Sequence, residues 1–501
     1  MRKIGVIDIG SNSMRLIIVE INKNRSFRII DELKESVRLG MDMSENGDLS
    51  EFRIEKAVQA LFHFKNLSTS LGAKELIVVA TEAVRKASNQ KVFLEKVKKE
   101  LDIDIRVLSG EEEAYYNYVG AINTLDLSNA LIMDIGGAST ELILVNNRKL
   151  KECISLPFGA INLTSKFNLT NTLDKETEDK VIEFLHNNYS KIAWLADVNY
   201  LPLIGIGGTM RNISKISRKK NNYPIDITHN YYMEANEVMQ IYNTVKSKDS
   251  EKRKKIKGLS KDRADIFLGA TTAIKTLIEF CNIDNIYISG SGLREGLVYD
   301  YIFAEKNIID DILDLSIHNT ITNFQLNEVH AIHVFNLSKS LYTQLEPVHN
   351  IRTNSAYKIL KTASILHDIG TNINFYEKHK HSFYMFLNSP LKGLSHKELL
   401  MAAFVNIAIH KENLNINNSA YGKLLDKNDI DIILKLGVII KLAKSFDRKM
   451  DGNIEDIQCK LTENAVCIKT KSKLHGDLEI TTALKASSYF QKVFNKTLLI
   501  E

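Results

Sequence analysis

The chain has 501 residues, 44% of them hydrophobic and 25% charged, and Lys+Arg exceeds Asp+Glu by 66 − 61 = 5. That length allows three or four domains of ordinary globular composition, and the small basic excess suits an anionic ligand while excluding a protein that coats nucleic acid. No stretch nears the roughly 18–20 apolar residues of a membrane-spanning helix. Asp8 interrupts the first apolar run before it reaches signal-peptide length, and Cys153, Cys281, Cys459 and Cys467 lack pairing or metal spacing. A soluble protein of a reducing, cytoplasmic compartment is expected, with neither membrane nor nucleic acid as partner.

Along the chain, "GVIDIG", "MRLIIVEI" and "SFRIIDELKESVRLG" read as an antiparallel meander. The apolar residues of "EFRIEKAVQALFHFKNLSTSLG" recur three and four apart, which predicts a helix with Gly72 as C-cap. Strand "ELIVVA", a helix from Ala83 to about Glu100, strand "IDIRVLS" and a helix opening at "GEEEAYYNYVGAI" complete a first domain, 1–125. The plan then repeats over 126–305: a hairpin "NALIMDIG"/"TELILVNN", a third strand "KECISLPFGA", and a long helix around "DKETEDKVIEFLHNNYSKIAWLA". Strand "LPLIGIGG", helices through "KDRADIFLGATTAIKTLIEF", strand "NIYISG" and a helix from "SGLREGLVYDYIF" follow, the last returning to the first domain near 293–308. A β-β-β-α-β-α-β unit written twice is the signature of a duplicated ribonuclease-H-like α/β fold. Residues 310–450 then read as helices carrying many of the 13 histidines, and 451–501, with "AVCIKTKS" and "DLEITTAL", as a small strand-bearing α+β cap. The basic run "EKRKKIK" (251–257) reads as a solvated helix face, with an anion-binding edge as the alternative.

Two segments are nearly the same nine residues, 134 − 8 = 126 positions apart: "DIGSNSMRL" (Asp8–Leu16) and "DIGGASTEL" (Asp134–Leu142). Each is a strand, a polar turn and a second strand. Such a turn leaves backbone N–H groups without ladder partners, a concavity suited to phosphate oxygens. Gly10, Ser11, Asn12 and Ser13 form one turn, and Gly136, Gly137, Ala138, Ser139 and Thr140 the other. Asp8 and Asp134, at strand ends, are placed to face a hydrated divalent cation. Two such hairpins across a cleft clamp one phosphate from both sides. A single D-x-G-S is ordinary turn chemistry; duplication in register with a duplicated fold is what points to a site. Two further turns, "GIGGTMRN" (with Gly207, Gly208 and Thr209) and "ISGSGLREG", each follow a strand and open a helix, where free N–H groups favour anions.

In order, "VIDIGSNSMRL", "VVATEAVRKASN", "VLSGEEEA", "MDIGGASTEL", "GIGGT", "KDRADIFLGA" and "SGSGLREG" resemble the exopolyphosphatase / guanosine pentaphosphate phosphohydrolase family, a branch of the actin–Hsp70–sugar kinase superfamily. The resemblance covers about 1–300 closely and continues loosely to about 450, like the longer members with a helical HD-like domain. It implies Mg²⁺-dependent hydrolysis of a terminal phosphoanhydride by a homodimer, with Mn²⁺ or a monovalent cation such as K⁺ as alternatives. The substrate implied is inorganic polyphosphate, or the 5′-γ-phosphate of pppGpp. Glu113 matches the family's catalytic carboxylate. Three consecutive acids at a helix start also favour its dipole, so family position, not spacing, selects Glu113 over Glu111 and Glu112. Glu141 matches a second carboxylate that positions the water or joins Asp8 and Asp134 at the metal. Arg85 matches an arginine near the phosphate, where a guanidinium steadies charge on equatorial oxygens. Ala138 stands where the family usually has a third glycine, which requires φ < 0 there.

His330, His367, Asp368, His381 and His410 follow the order and spacing of an HD domain, a helical bundle whose His/Asp set can bind divalent metal. Such domains close the site with an aspartate, but here "KLAKSFDR" puts Lys444 at that position and Asp447 one turn later. An ammonium group repels a cation, so the set reads as vestigial, serving to bind an extended polyanion or to dimerise; the alternative is that Asp447 substitutes as ligand. The HD-bearing length favours polyphosphate over pppGpp. A sugar or acetate kinase is disfavoured by the "DIGSNS" and "GEEEA" segments, and a non-hydrolytic (p)ppGpp or polyphosphate sensor by intact Glu113, Glu141, Asp8 and Asp134.

Overall fold

In the computed structural model, which describes all residues except 42, 44, 45 and 305, the first apolar runs pair as β1 (Arg2–Ile9), β2 (Met14–Ile21) and β3 (Phe27–Glu35), an antiparallel meander. Strands β4 (Glu75–Ala80) and β5 (Arg106–Val107) extend it in parallel, giving the order β3-β2-β1-β4-β5. The near-continuous apolar character of β1 and β2 follows from burial on both faces. Ile7, Ile9, Leu16 and Ile18 pack with the helices Glu51–Ser70 and Gln90–Leu101, whereas Ile4, Val6, Ile17 and Val19 pack with Tyr116, Leu293 and Leu297. The single helix expected from Ala83 to about Glu100 is two, Glu82–Arg85 and Gln90–Leu101. Asn89 breaks it because its side-chain amide pairs with both backbone groups of Leu49, at 2.9 Å each. A short polar side chain offering the backbone an alternative is the usual reason for such a break.

The second sheet repeats the first. Strands β6 (Ala130–Ile135), β7 (Thr140–Asn146) and β8 (Lys149–Leu156) form the meander; β9 (Leu203–Ile206) and β11 (Asn285–Ile288) run parallel to β6. Strand β10 (Tyr231–Glu234) has no counterpart in the first sheet and adds antiparallel to the edge of β11, giving β10-β11-β9-β6-β7-β8. Four residues are too few for periodicity to mark a strand. The helix that returns to the first sheet spans Leu293–Ile302, and Glu305, within its expected range and at the expected end of the second domain, lies outside the described residues. It crosses helix Gly110–Ile122 so tightly that a Cβ on Gly296 would stand 1.9 Å from the Tyr116 carbonyl oxygen. The run at 251–257 is not wholly solvated: Arg253 is buried and donates to the carbonyls of Leu169, Asn171 and Val245.

These elements form one compact unit, Met1–Ile312, and a second runs from Leu313 to Glu501. In the second, helices Glu328–Gln344, Asn354–Ile365 and His396–His410 pack on helix Lys427–Phe446, and β12 (Ile454–Leu461), β13 (Ala465–Ser472) and β14 (Thr497–Ile500) form a small sheet. "DLEITTAL", expected with the strands, is helix Asp477–Leu484. Its fully buried residues are Glu479 and Ala483, four apart, so the face it buries has the helical period despite the local alternation. Among the described residues no helix is long and apolar enough to cross a membrane.

Candidate active site

All four Gly/Ser turns line one cavity in the first unit: residues 10–13 after β1, Gly136, Gly137 and Ser139 after β6, residues 206–208 after β9, and residues 289–292 after β11. The duplicated turns share their closure, Gly10 N–H to Ser13 O at 3.3 Å and Gly136 N–H to Ser139 O at 2.9 Å. Behind them, the carbonyls of Ser11 and Asn12 accept from Gly40 and Arg38, and those of Gly136 and Gly137 from Ala160 and Ile161. With the carbonyls engaged there, the peptide N–H groups of the turns other than those of Gly10 and Gly136 are left for an oxyanion. The turns also touch: a Cβ on Gly137 would lie 3.0 Å from Ser11 Cβ and 3.6 Å from Asn12 N. Gly207, at φ +84°, lies so close to Asp134 that a Cβ would stand 2.4 Å from its Oδ1.

The strand register makes the two hairpins chemically unequal. Asp8 stands opposite Arg15, whereas Asp134 stands opposite Glu141. One copy therefore contributes a cation and the other an acid. Three more arginines, Arg211, Arg263 and Arg294, join Arg15 on the cavity wall. Burial and then repulsion from one another lower Arg15 to about 10 and also lower Arg211; burial and Arg15 lower Arg263. Against burial, Glu295 and Glu32 hold Arg294 up, and Glu32 binds Arg294 at 3.0 Å. Guanidiniums that repel one another across a cavity are relieved by a multiply charged anion.

The acids are strained in the opposite sense. Burial pushes Asp8 up to about 6 and raises Asp134. Burial and the facing Glu141 raise Glu113 far above the carboxylate range, and burial with Asp134 takes Glu141 to about 8. A cation among them would favour their charged forms. Asp8, Asp134 and Glu141 do not converge as three ligand atoms within 4.8 Å, a condition met among the described residues only by His330, His367 and Asp368. The two cavity aspartates offer only carboxylate oxygens, the donor type that a hard divalent cation such as Mg²⁺ would take.

Each of the three consecutive glutamates has its own environment. Ser109 and Glu112 form a reciprocal capping box, Ser109 N–H to Glu112 Oε2 at 2.8 Å and Glu112 N–H to Ser109 Oγ at 3.1 Å. Glu111 is exposed, and Glu113, only 8% exposed, lines the cavity. Arg85 does not line that cavity. Its two terminal nitrogens donate to Glu113 Oε2 at 3.1 Å, and it also binds Glu82 and the Leu108 carbonyl. It touches the carboxylate rather than the phosphate cradle.

Other expected residues also lie behind the wall. Glu141 accepts from Ser155 Oγ at 2.8 Å, Thr140 donates to the Phe158 carbonyl at 2.7 Å, and Thr209 is buried in helix Gly207–Lys220. None of the three lines the cavity, nor does Ala138, whose φ is not positive, so its methyl group is accommodated. The four wall arginines, with Thr81 and Asn117, are additions to the expected set. Each arginine stands inside a motif already singled out ("SNSMRL", "GGTMRN", "KDRAD", "GLREG"), and their recurrence beside the turns was the available signal.

In the second unit, His330, His367 and Asp368 come together, with His367 Nε2 3.3 Å and His330 Nε2 4.0 Å from Asp368 Oδ2. His410 faces His379, ring centroids 5.7 Å apart, rather than the expected His381. Burial and then Lys444 lower His410 to about 3. Asp447 does not substitute as a ligand: its carboxylate accepts from His330 Nδ1 at 2.6 Å and from Gly452 N–H at 2.9 Å. Lys444 donates to Asp368 Oδ1 at 2.7 Å.

Among solved structures, the chain is similar to the Ppx/GppA family member of Aquifex aeolicus, 31% identical over 61% of this chain and 99% of that one, with a TM-score of 0.53. An exopolyphosphatase from Cytophaga hutchinsonii, 24% identical, shares the fold with a TM-score of 0.58 over 61% of this chain and 99% of that one. Among curated proteins, the guanosine-5'-triphosphate,3'-diphosphate pyrophosphatase of Pseudoalteromonas atlantica is 28% identical over 77% of this chain and 75% of its own. The bifunctional 3-dehydroquinate synthase/phosphatase of Fusobacterium nucleatum is 32% identical over 59% of this chain and 46% of its own. Family models match twice, the Ppx/GppA phosphatase family over residues 17–305 and Ppx/GppA phosphatase domain III over residues 312–485. With both sheets, the paired turns and both matches in register, the chain belongs to the Ppx/GppA phosphatase family.

Proposed function

We propose that the protein is an exopolyphosphatase that removes the terminal phosphate of inorganic polyphosphate. The carrying observation is the cavity wall: four arginines meet the four Gly/Ser turns, and no aromatic side chain is among the described residues that line it. A repeating chain of phosphates matches that array, whereas a purine would find no stacking face. The turns hold the terminal phosphate, and Arg15, Arg211, Arg263 and Arg294 hold the phosphates behind it. Glu113 takes a proton from the attacking water as its oxygen bonds to phosphorus. The bridging P–O bond breaks, and the leaving oxygen becomes the new chain end. Arg85 positions Glu113 and favours its charged form. Asp8 and Asp134 would hold Mg²⁺, which when bound neutralises phosphate charge.

A second reading, pppGpp as substrate, is supported by the names of several relatives. A homodimer in the cytoplasm is proposed with either, and four free cysteines accord with a reducing compartment. The helical unit is proposed as an HD-type bundle on its His/Asp order. Orthophosphate release from long-chain polyphosphate or pppGpp with Mg²⁺, with Glu113→Gln as control, tests the assignment. Fast release from polyphosphate that collapses in the variant supports it. Release only from pppGpp selects the second reading, and tight binding without release makes the protein a sensor.

A further inference from the structure

Asn117 lines the cavity and is only 1% exposed, yet among the described residues neither its Oδ1 nor its Nδ2 has a hydrogen-bond partner. Folded proteins pair nearly all buried polar atoms, so an unpaired amide on a cavity wall points to a molecule that it holds there. Asn117 stands four residues after Glu113 on helix Gly110–Ile122, so the two side chains share one helix face, about 5–6 Å apart at their Cβ atoms. Two O–H···O bonds of about 2.8 Å to one water span such a gap. Arg85 holds Glu113 through Oε2, from both terminal nitrogens at 3.1 Å, which leaves Oε1 as the oxygen to meet a water. Burial raises Asp134, and Arg211 and then the Asn117 amide draw it back down, so the donor end of the amide is turned to that carboxylate. Oδ1 is the end left to accept. Gly292 keeps the space beside it clear: a Cβ there would stand 3.1 Å from Oδ1.

We propose that Asn117 is a further catalytic residue, whose Oδ1 accepts one hydrogen of the attacking water while Glu113 Oε1 takes the other, so that a lone pair of the water faces the terminal phosphorus. The assignment rests on the hydrolytic reading of the cavity but not on which phosphoanhydride is cleaved. As the new O–P bond forms and the bridging P–O bond breaks, the proton facing Glu113 passes to its carboxylate. The hydrogen held by Asn117 stays on the oxygen that joins the released phosphate. An amide suits this place better than another acid, because it accepts a hydrogen bond without adding negative charge where burial already opposes the ionisation of Glu113 and Asp134.

The test measures kcat and KM for orthophosphate release from polyphosphate and from pppGpp with Mg²⁺, in the full-length wild type, Asn117→Leu and Asn117→Ala, with thermal melting of each. Turnover is expected to fall about 10²-fold in both variants while KM changes less than about twofold. Melting of Asn117→Leu, which removes two unpaired buried atoms at similar volume, is expected to hold or rise. Unchanged kcat overturns the assignment, and so does a raised KM at unchanged kcat, which makes Asn117 a phosphate ligand. A loss in Asn117→Leu that Asn117→Ala does not share overturns it as well, because an obstructed cavity then explains the loss. A melting temperature lowered by several degrees in Asn117→Leu does the same, by making the amide a structural partner of Asp134. Each of those outcomes leaves the hydrolytic reading standing. No orthophosphate from either substrate with the wild type overturns both.

Discussion

Glu111, Glu112 and Glu113 are identical in type and adjacent in sequence, yet one is solvated, one caps its helix and one faces the cavity. Glu113→Gln is expected to lower turnover by about 10²–10⁴-fold while leaving substrate binding in place, which orthophosphate release and equilibrium binding measure separately. Arg85 contacts Glu113 and not the cavity. Its charge opposes the rise that burial and Glu141 impose on that carboxylate. A base works deprotonated, so losing the arginine raises the base's pKa and moves the acid limb of the rate profile to higher pH. For Arg85→Met, turnover is expected to fall most below neutrality and to recover in part in alkaline buffer. An unchanged profile shape would remove Arg85 from this role. Arg253 makes a separate point at the same scale. In a basic run that reads as solvated, it donates to four carbonyls, and Arg253→Met is expected to cost about 3 kcal/mol in denaturant unfolding.

Among the elements, the two hairpins are copies in backbone and opposites in chemistry. The repeat is visible in "DIGSNSMRL" and "DIGGASTEL", and so is the Arg15/Glu141 difference, but its meaning depends on the strand register that sets each opposite an aspartate. Short elements were less legible. Asn89 stands just before helix Gln90–Leu101, in the gap between two helices where one was expected, because Leu49, 40 positions earlier, lies within reach of its amide. Residues Asp477–Leu484 alternate locally yet bury a helical face. The crossing of helices Gly110–Ile122 and Leu293–Ile302 depends on Gly296, where a methyl group meets the Tyr116 carbonyl. Gly296→Ala is expected to destabilise the first unit by about 1–3 kcal/mol, read as a lower melting temperature.

For the whole molecule, the buried acids link stability to pH. Unfolded Asp and Glu ionise near their ordinary values, whereas burial holds Asp8 up to about 6, Glu141 up to about 8, and Glu113 and Asp134 above the usual range. Below about pH 6.5 the proton excess of these acids is opposed by His349, His367, His379 and His410, which burial holds neutral in the folded state. Between about pH 6.5 and pH 8 the acids dominate, the folded, metal-free protein binds more protons than the unfolded chain, and stability falls as pH rises. Melting without divalent metal is expected to be lower at about pH 8 than at about pH 6.5, with Mg²⁺ restoring more at the higher pH. A flat profile would mean that these carboxylates are already neutralised by other groups. The four wall arginines add a long-range effect: kcat/KM for an anionic substrate is expected to fall with added salt as screening shortens their reach.

Local pattern alone determined the duplicated plan, the Asp-ended Gly/Ser turns, the helical character of most of the second half and the family resemblance. Each of these resides in contiguous residues, where periodicity and turn chemistry act. Only the tertiary structure decided which residues share a cavity. It set Arg85 behind Glu113, withdrew Glu141, Thr140 and Thr209 from the wall, and brought Arg15, Arg211, Arg263 and Arg294 together from positions up to 279 apart (294 − 15). It likewise placed Asp447 behind His330 and set Lys378 and Lys444 on one oxygen of Asp368. Burial and charge proximity create those relations, and both depend on distance through space, which spacing along a chain does not encode.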